Sequence, residues 1–474
     1  MTPKPATMTT ASFQELLDRI RPFGQDHLLR FWDRLDPAAQ RRLAEQIGAI
    51  DFAEVARLFA QRDADDGVRA LAERATSPPA LRLGAADPRF PPEDVRRRAA
   101  EDLAAGHVGV VLVAGGQGTR LGFPHPKGMF PIGPVSGCSL FQIHFEKVLA
   151  TARRYGRPVP LFLMTSPATH EETVAYIERH DRFGLPREDL TVFCQGTMPA
   201  VDAETGKILL EAAGALALSP DGHGGMLAAL ARCGGLDRMR ARGIERLFYL
   251  QVDNPLVDIC GLDFLGAHLL AGSEASTQVV AKRSPQDRVG NVVSVDGRLQ
   301  VIEYSDLPDD VAERRKADGS LAIWAGSIAV HVFEADFLAR EAERAGSLPF
   351  HVARKKVAHL DASGHRVEPE QPNALKFERF IFDLLPAAER AIVVEVDPAT
   401  AFAPLKNASG AESDTPESVQ AAMVNLHAAW VHRAGIPLAE GTPVEISPLF
   451  ALDAAEFARK VVPGTRIEEP TYFA

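Results

Sequence analysis

The stretch Val108–Lys127, which reads VGVVLVAGGQGTRLGFPHPK, constrains the fold of this chain more than any other. Its first part, Val108–Val113, is apolar and mostly small or β-branched, which predicts a strand that is buried on both faces. Four of the nine residues from Ala114 to Gly122 are glycines, so the strand should end there in a loop. Glycines let backbone N–H groups approach a ligand, and Arg120 and Lys127 add positive charge. The loop therefore suits a phosphate.

The spacing of the glycines excludes two common phosphate loops. In the dinucleotide motif G-x-G-x-x-G, the third glycine position falls on Leu121. The Walker motif needs Gly before Lys, whereas this chain has Lys127-Gly128. Pro124 and Pro126 should keep the chain extended, so we expect Lys127 to project from a loop and not from the N-terminus of a helix.

Strand and helix patterns alternate after this loop. Ser139-x-x-Gln142 and Thr169-x-x-Glu172 have the spacing of capping boxes, which predicts that two helices begin there. A strand is predicted between them near Leu161–Met164. This alternation predicts an α/β fold with a doubly wound, mostly parallel sheet, in which ligands bind beyond the carboxyl ends of the strands.

Three parts are predicted along the chain. Residues 1–105 form a helical N-terminal segment and a linker, and a capping box at Ser12-x-x-Glu15 begins the first helix. Residues 106–400 form the core that carries the glycine loop. Residues 401–474 contain short mixed patterns and several prolines, which indicate a small C-terminal domain.

Composition excludes several classes of function. The 474 residues carry a net charge of −11, which argues against a binder of nucleic acid or of anionic membranes. The four cysteines are widely spaced and form no C-x-x-C pair, which indicates a reducing compartment, and we expect a cytoplasmic protein. No apolar stretch is long enough for a transmembrane helix. Nothing in the sequence indicates the oligomeric state.

Several motifs carry a resemblance to a known family. The string from Ala114 to Gly122, followed by Pro126-Lys127-Gly128, resembles the signature of the eukaryotic-type UDP-sugar pyrophosphorylases and is closest to the UDP-N-acetylhexosamine branch. The resemblance extends from about Gly24 to about Thr415. It implies a nucleotidyltransferase core, Rossmann-like and GT-A-like, and a uridylyltransferase that forms a UDP-sugar and pyrophosphate from UTP and an N-acetylhexosamine 1-phosphate.

The reaction that the resemblance implies needs no activated nucleophile, because a sugar phosphate oxygen already is one. What it needs is cations and a metal that offset repulsion between polyanions in an in-line displacement. We assign Arg120 and Lys127 to the triphosphate, and the family-like stretch Pro404-Leu405-Lys406-Asn407 adds Lys406. Asp253, at the end of a predicted strand, is the candidate ligand of Mg²⁺, which often takes only one or two protein carboxylates.

Binding of the nucleotide is assigned to backbone groups of the loop and to separate side chains. Gln195 offers a donor and an acceptor that match the uracil edge. Two residues from later family-like motifs are added, the backbone of Gly222 and the side chain of Lys376. The nucleotide-binding set is Val113, Ala114, Gly115, Gly116, Gln195, Gly222 and Lys376.

Sugar binding is assigned to His223, Gly290, Glu303, Tyr304 and Ser327. His223 and Ser327 both stand where acetylhexosamine enzymes usually have asparagine, and the Gly-His-Gly string resembles the UDP-glucose and broad UDP-sugar branches. The alternatives are therefore a UTP–glucose-1-phosphate or broad-specificity pyrophosphorylase, or a non-catalytic nucleotide-sugar sensor. An NAD-dependent oxidoreductase is disfavoured by the position of Leu121.

Overall fold

The computed structural model describes residues 12–62, 67–344, 346 and 348–474. Its α-helices, numbered in chain order, are α1 (Phe13–Ile20), α2 (Pro37–Ala49), α3 (Phe52–Ala60), α4 (Val68–Arg74), α5 (Pro92–Ala105), α6 (Leu140–Tyr155), α7 (His170–Arg179), α8 (Gly225–Arg232), α9 (Gly235–Ala241), α10 (Leu262–Ala271), α11 (Asp309–Ala312), α12 (Ala335–Glu343), α13 (Pro398–Ala401), α14 (Pro416–Arg433) and α15 (Ala454–Lys460).

The β-strands, numbered in the same way, are β1 (Ala80–Leu81), β2 (Val108–Val113), β3 (Leu161–Thr165), β4 (Leu190–Cys194), β5 (Thr197–Pro199), β6 (Val201–Asp202), β7 (Leu210–Ala212), β8 (Ala215–Leu216), β9 (Leu218–Pro220), β10 (Arg246–Gln251), β11 (Ala275–Ala281), β12 (Asn291–Val295), β13 (Arg298–Ile302), β14 (Ala325–Glu334), β15 (His351–Lys355), β16 (His359–Leu360), β17 (Arg366–Val367), β18 (Ala374–Glu378), β19 (Ala391–Glu395), β20 (Val444–Ile446) and β21 (Thr471–Phe473).

The chain forms two compact units. The first unit contains Met1–Asp65, Gly196–Gly225 and Leu348–Phe380. The second unit contains Asp66–Gln195, Met226–Ser347 and Ile381–Ala474. The first unit therefore joins the N-terminal residues with two later segments. The sequence division into 1–105, 106–400 and 401–474 stays a prediction.

The second unit is built on a mixed sheet with the strand order β1-β19-β11-β14-β10-β2-β3-β4. Neighbours are parallel except β14, which runs antiparallel to both β10 and β11. Every residue of β2 and β3 is buried, as expected for parallel strands covered on both faces. The predicted α/β fold with a mostly parallel sheet is confirmed. The loops after β2, β3, β4 and β10 leave the same edge of this sheet.

Two local predictions about helix starts had different outcomes. The hydroxyl of Ser139 accepts a hydrogen bond from the amide of Gln142 and caps α6, so the predicted helix start is confirmed. The side chain of Gln142 donates to Glu146 instead of returning to the Ser139 backbone, so only half of the predicted capping box is present. Thr169 precedes α7 but does not cap it, so that predicted capping box is wrong. The Thr169 hydroxyl instead bonds with the backbone of Ser166, and Glu172 contacts His125.

Asp296 and Gly297 form the turn of a β-hairpin, as an Asp-Gly pair between two runs of β-branched residues predicts. β12 and β13 pair antiparallel from Asn291↔Ile302 to Val295↔Arg298. Asp296 and Gly297 have φ values of 51° and 80°, the left-handed conformation that a tight hairpin turn of this length requires at both positions. β12 also pairs with the first residues of β14, so the hairpin extends the main sheet.

The last part of the second unit consists of α14, α15 and the parallel pair β20–β21. Its buried apolar residues form one cluster that includes Val431, Ile446 and Phe457. The amide groups of Val135 and Ser136, in the loop before α6, donate hydrogen bonds to Glu445 of β20. This C-terminal part is thereby fastened to the segment that follows the glycine loop.

The first unit combines short helices with small sheets. The capping box at Ser12 and Glu15 is present at the start of α1, as predicted. β18 lies between β15 and β6 in a three-stranded sheet. A buried apolar cluster joins α1–α3 with residues such as Val201 and Phe377. Among the described residues of the whole chain, no helix has both the length and the apolar composition needed to cross a membrane.

Candidate functional site

The glycine loop after β2 is closed by its own backbone. The amide of Lys127 donates to the carbonyl of Gly116 at 3.0 Å, and the amide of Gly118 donates to the carbonyl of His125 at 2.9 Å. A Cβ atom on Gly118 would lie 2.8 Å from the His125 oxygen, so only glycine fits at this position. Gly116 and Arg120 remain exposed. The loop therefore presents accessible backbone and a guanidinium at the carboxyl edge of the sheet.

Gln195 lies against this loop. It follows β4, its amide donates to the carbonyl of Thr165, and the residue is 7% exposed. A Cβ atom on Gly115 would lie 2.6 Å from Oε1 of Gln195. Ser166, which the sequence analysis missed, donates its hydroxyl to the carbonyl of Gly115 at 2.7 Å. Its position directly after β3 could have indicated it, because the rule that selected Gln195 applies to every parallel strand.

Lys127 begins a single 3-10 turn, Lys127–Met129, rather than continuing an extended segment as expected from Pro126. The turn brings Gly128 against the first turn of α6. A Cβ atom on Gly128 would lie 2.3 Å from the ring of Phe141, so this approach requires glycine. Packing between the turn and α6 therefore sets the position of the Lys127 backbone.

The side chain of Lys127 is mostly buried among charged groups. Its Nζ donates to the carbonyl of Leu405 at 3.2 Å and lies 3.9 Å from Oδ2 of Asp253. Burial lowers the pKa of Lys127, the charges of Lys406 and Arg120 lower it further, and Asp253 opposes them. The second unit thus brings the predicted cations Arg120, Lys127 and Lys406 close enough to Asp253 to form one charged cluster.

Hydrogen bonds hold the segment before Lys406 against the loop of Asp253. The amide of Leu405 donates to the carbonyl of Asp253 at 2.8 Å. The side chain of Asn254 donates to the carbonyl of Ala401 and accepts from the amide of Ala403. These contacts between distant segments explain how Lys406 arrives beside Lys127.

Asp253 is suited to a divalent cation. Its side chain is 16% exposed, and within the described ranges its carboxylate accepts no hydrogen bond. An anionic oxygen with free lone pairs beside a phosphate-binding loop fits Mg²⁺, which takes its remaining ligands from phosphate and water.

A second group of possible metal ligands lies elsewhere in the unit. The ligand atoms of Asp102, His107 and Glu245 lie within 4.8 Å of one another. The guanidinium of Arg246 lies in this group, with Nη1 2.7 Å from one oxygen of each carboxylate. The group stands at the amino-terminal ends of β2 and β10, the edge of the sheet opposite the glycine loop. These residues are therefore too far from the glycine loop to bind a metal ion there.

Gly290, Glu303 and Ser327 come together in the second unit. The amide of Ser327 donates to the carbonyl of Gly290 at 2.7 Å. A Cβ atom on Gly290 would lie 3.6 Å from Oε1 of Glu303 and 3.8 Å from Cβ of Ser327. β14 begins beside this group, and because it runs antiparallel to β10, its start lies at the edge where Asp253 stands. Tyr304 is 51% exposed.

Lys282, which the sequence analysis also missed, lies beside this group. It directly follows β11, is 8% exposed, and its Nζ donates to Oδ1 of Asn291 at 2.6 Å. Asn291 in turn donates to the carbonyl of Ile302. Burial lowers the pKa of Lys282. The ends of β11, β12 and β13 are thus tied together next to Gly290.

The remaining predicted residues, Gly222, His223 and Lys376, belong to the first unit. A Cβ atom on Gly222 would lie 2.3 Å from the carbonyl oxygen of Arg379, so the loop lies directly on that backbone. The imidazole of His223 stacks on Phe380, with ring centres 5.2 Å apart. Lys376 lies on β18 in the same stretch as these contacts.

His223 is neutral at physiological pH. The surrounding protein lowers its pKa to about 4, and the nearby His351 contributes to this shift. A neutral imidazole carries one N–H donor and one acceptor nitrogen. His223 can therefore form hydrogen bonds without carrying a positive charge.

Comparisons with known proteins extend over most of the chain. The family profile described as UTP–glucose-1-phosphate uridylyltransferase matches residues 85–468. UDP-N-acetylhexosamine pyrophosphorylase-like protein 1 of Xenopus tropicalis is 37% identical over 446 residues, 90% of this chain and 87% of that protein. UDP-N-acetylglucosamine pyrophosphorylase of Saccharomyces cerevisiae is 36% identical over 354 residues, 73% of this chain and 74% of that protein.

A solved structure is similar over nearly the full length. The crystal structure of the uridine diphosphate N-acetylglucosamine pyrophosphorylase from Trypanosoma brucei, in complex with an inhibitor, superposes with a TM-score of 0.79 at 26% identity and covers 95% of each chain. The similarity therefore includes both compact units and not the glycine loop alone.

Proposed function

Because this chain belongs to the UTP–glucose-1-phosphate uridylyltransferase family and is a nucleotidyltransferase, we propose that it joins UTP to an N-acetylhexosamine 1-phosphate and releases pyrophosphate. The names of the relatives support this sugar. The single observation that carries the chemistry is the cluster formed by Lys127 and Asp253, 3.9 Å apart, with Arg120 and Lys406 nearby.

The reaction is a direct in-line displacement. An oxygen of the sugar 1-phosphate attacks the α-phosphorus of UTP and forms a new P–O bond. The bond from that phosphorus to the oxygen that bridges the β-phosphate breaks, and pyrophosphate leaves with the electron pair. No proton has to be removed from the nucleophile, so the reaction needs no general base.

Arg120, Lys127 and Lys406 stabilise the charge that develops during this displacement. Lys127 is mostly buried, which strengthens its attraction for an anion, because little water screens it. Arg120 is exposed at the loop and can bind phosphate oxygens through two N–H groups. Lys406 follows Leu405, whose carbonyl already accepts from Lys127. This contact supports the proposal that the two lysines neutralise adjacent phosphates.

Asp253 would hold Mg²⁺. When bound, the metal neutralises phosphate charge and helps to orient the triphosphate. The absence of a competing hydrogen bond on the Asp253 carboxylate, among the residues that the structure describes, supports this role.

Uracil recognition is assigned to Gln195 and to the backbone of Val113–Gly116. The amide side chain of Gln195 offers both a donor and an acceptor, and its buried position against Gly115 holds it in one orientation. Gly222 and Lys376, in the first unit, are assigned to the nucleotide by their family-like motifs. A base with the donor and acceptor exchanged, such as cytosine, would leave Gln195 mispaired.

Sugar recognition is assigned to His223, Gly290, Glu303, Tyr304 and Ser327. Glu303 and Ser327 offer a carboxylate and a hydroxyl beside Gly290, whose lack of a side chain lets Val301 and these two residues pack closely around it. Neutral His223 can donate to a sugar hydroxyl. A cytoplasmic location is also proposed, supported by four cysteines that form no disulfide.

The test is pyrophosphate release from UTP with a panel of sugar 1-phosphates: N-acetylglucosamine, N-acetylgalactosamine, glucose and galactose. We expect the highest kcat/KM with an N-acetylhexosamine 1-phosphate. A preference for glucose 1-phosphate would replace the proposed sugar but keep the uridylyltransferase. Binding of UTP without turnover for every sugar would favour a nucleotide-sugar sensor instead.

A further inference from the structure

Three side chains on one face of α6 contact the two segments that carry Lys127 and Asp253. They are Phe141, His144 and Lys147. A spacing of three residues places them one after another along the same side of the helix. The ring of Phe141 packs against Gly128, in the turn that begins at Lys127. The other two side chains reach the loop after β10 that contains Asp253.

His144 holds the residue that precedes Asp253. Its side chain is completely buried, and its Nε2 lies 3.0 Å from the carbonyl oxygen of Val252. Because a carbonyl oxygen only accepts, Nε2 carries the proton and donates it. Burial lowers the pKa of His144 to about 3, so the imidazole is neutral and Nδ1 carries no proton. The bond to Val252 therefore fixes both the tautomer and the direction of the ring.

The other nitrogen of this imidazole, Nδ1, is buried and has no hydrogen-bond partner among the described residues. A buried acceptor without a partner costs free energy, whereas an apolar side chain of similar size would fill this position without that cost. Within the same part of the chain, the bond from Nε2 to Val252 is the one polar contact that the His144 side chain makes. The contact with the loop of Asp253 therefore explains the imidazole better than packing does.

Lys147 holds the far end of the same loop. Its Nζ donates to the carbonyls of Pro255 and Val257 at 2.6 and 2.8 Å. These carbonyls solvate the ammonium, and the negative charge of Asp258 also favours its protonated form. The two side chains of α6 thus bind the backbone before and after Asp253.

We propose that His144 and Lys147 are positioning residues that act through Asp253. α6 holds the loop of Asp253 by these two side chains and holds the turn of Lys127 by Phe141. One helix therefore sets the 3.9 Å separation between the ammonium of Lys127 and the carboxylate of Asp253. This inference rests on the proposed roles of Lys127 and Asp253, and it adds the residues that keep them at that distance.

The first test removes or keeps the donor to Val252. His144→Leu removes the N–H group, whereas the amide nitrogen of His144→Gln can take the place of Nε2. In assays of pyrophosphate release we expect His144→Leu and Lys147→Met to lower kcat at least ten-fold, because a small displacement of a catalytic group slows the reaction strongly. KM for UTP should change less than three-fold, and His144→Gln should keep kcat within two-fold of the parent. Parent-like kcat in either His144→Leu or Lys147→Met, or equal losses in His144→Leu and His144→Gln, would overturn the proposal.

Leu149→Ala is the matched control. Leu149 is also a buried residue of α6, but its Cδ2 lies 3.2 Å from the position of a Cβ atom on Gly184, away from the loop of Asp253. The substitution should lower the melting temperature, because it leaves a cavity, while kcat stays within two-fold of the parent. A ten-fold loss of kcat in Leu149→Ala would show that the stability of α6 matters and not its bonds to the loop, which would contradict the proposal.

A second measurement needs no turnover. Mn²⁺ prefers oxygen ligands like those of Mg²⁺, and water-proton relaxation with Mn²⁺ and UTP, without sugar phosphate, reports the metal in the protein-bound complex. We expect at least ten-fold weaker Mn²⁺ binding in Asp253→Asn and in His144→Leu, and parent-like binding in Leu149→Ala.

The outcomes separate this inference from the proposed function. Parent-like Mn²⁺ binding in His144→Leu, together with weak binding in Asp253→Asn, would overturn the inference alone. Parent-like binding in Asp253→Asn would remove Asp253 from the proposed metal site, and the inference with it. If the parent chain releases no pyrophosphate with any sugar 1-phosphate, the proposed function fails, and the Mn²⁺ measurement still decides whether His144 acts through Asp253.

Discussion

The ammonium of Lys127 lies 3.9 Å from the carboxylate of Asp253 and donates a hydrogen bond to the carbonyl of Leu405. The pair joins the end of the glycine loop to the end of β10, and the carbonyl comes from the segment that carries Lys406. Three distant parts of the chain therefore meet at one buried lysine. Burial lowers the pKa of Lys127. The negative charge of Asp253 raises this pKa, and the positive charges of Lys406 and Arg120 lower it.

Replacement of Lys127 with Ala should lower kcat for pyrophosphate release about a hundred- to a thousand-fold, because one preorganised cation is lost from the transition state. The melting temperature should change little, because the backbone turn is held by Gly128 and not by the ammonium. Lys316→Ala, at an exposed lysine, is the matched control and should retain activity. Near-normal turnover in Lys127→Ala would contradict the proposed role.

Asp253→Asn should raise the Mg²⁺ concentration needed for half-maximal activity at least ten-fold, because a neutral amide is a weaker ligand than a carboxylate. The measurement is a Mg²⁺ titration of turnover at saturating UTP and sugar 1-phosphate. A lower kcat with an unchanged Mg²⁺ requirement would show that Asp253 acts on Lys127 alone.

Gly115→Ala should raise KM for UTP about ten-fold, because the new Cβ atom would lie 2.6 Å from Oε1 of Gln195 and displace that side chain. KM for the sugar 1-phosphate should stay nearly constant. Gly48→Ala, where a Cβ atom meets no atom within 4 Å, is the matched control. Equal increases in both KM values would indicate a general distortion of the loop and would contradict a specific role in binding uracil.

Glu303→Gln should act on the other substrate. It keeps the shape of the side chain beside Gly290 but removes the charge, so bonds from sugar hydroxyls become weaker. We expect KM for the sugar 1-phosphate to rise about ten-fold while KM for UTP changes less than two-fold. A rise in KM for UTP with little change in KM for the sugar 1-phosphate would indicate that Glu303 binds the nucleotide and not the sugar.

Stability should fall in acid because of buried histidines. Burial lowers the pKa of His427 to about 4, below the unfolded value of 6.5. The unfolded chain therefore binds more protons between these values, and stability is lost as the pH falls through this window. At pH 5 the loss from His427 alone is about 2 kcal/mol. His144 and His223 have the same direction of shift.

Urea unfolding at pH 7.5 and pH 5 measures this loss. In His427→Gln the difference in the free energy of unfolding between the two pH values should be smaller by about 2 kcal/mol, because glutamine does not titrate. His432→Gln, at an exposed position on the same helix, should behave like the parent chain. An unchanged difference in His427→Gln would rule out this histidine as a source of acid sensitivity.

The parts of the structure that could be predicted from the sequence are those with a local pattern. The apolar run of β2, the glycines after it and the hairpin turn at Asp296-Gly297 all have such patterns, and the rule about strand ends placed Gln195 and Asp253 at one edge of the sheet. Residue spacing alone gave a wrong capping box at Thr169, because the hydroxyl of Thr169 accepts a hydrogen bond from the amide of Ser166 and does not cap α7.

Contacts between distant segments could not be predicted in this way. Lys127 donates to the backbone carbonyl of Leu405, so the type of side chain at position 405 gives no indication of this bond. In the sequence, Lys282 is an ordinary lysine after a strand. Only the structure shows that its ammonium donates a hydrogen bond to Asn291. The first unit combines three separated segments, and no local pattern shows that they share one apolar core.

The approach of Gly128 to the ring of Phe141 has a consequence for protein engineering. A graft of the glycine loop onto another scaffold would have to bring the start of α6 with it, because a bulkier residue at 128 or a different ring at 141 would rotate the turn that aims the Lys127 ammonium. The loop therefore has to be transferred together with the aromatic residue on which it packs. A sequence match to the loop alone does not show that this packing is present.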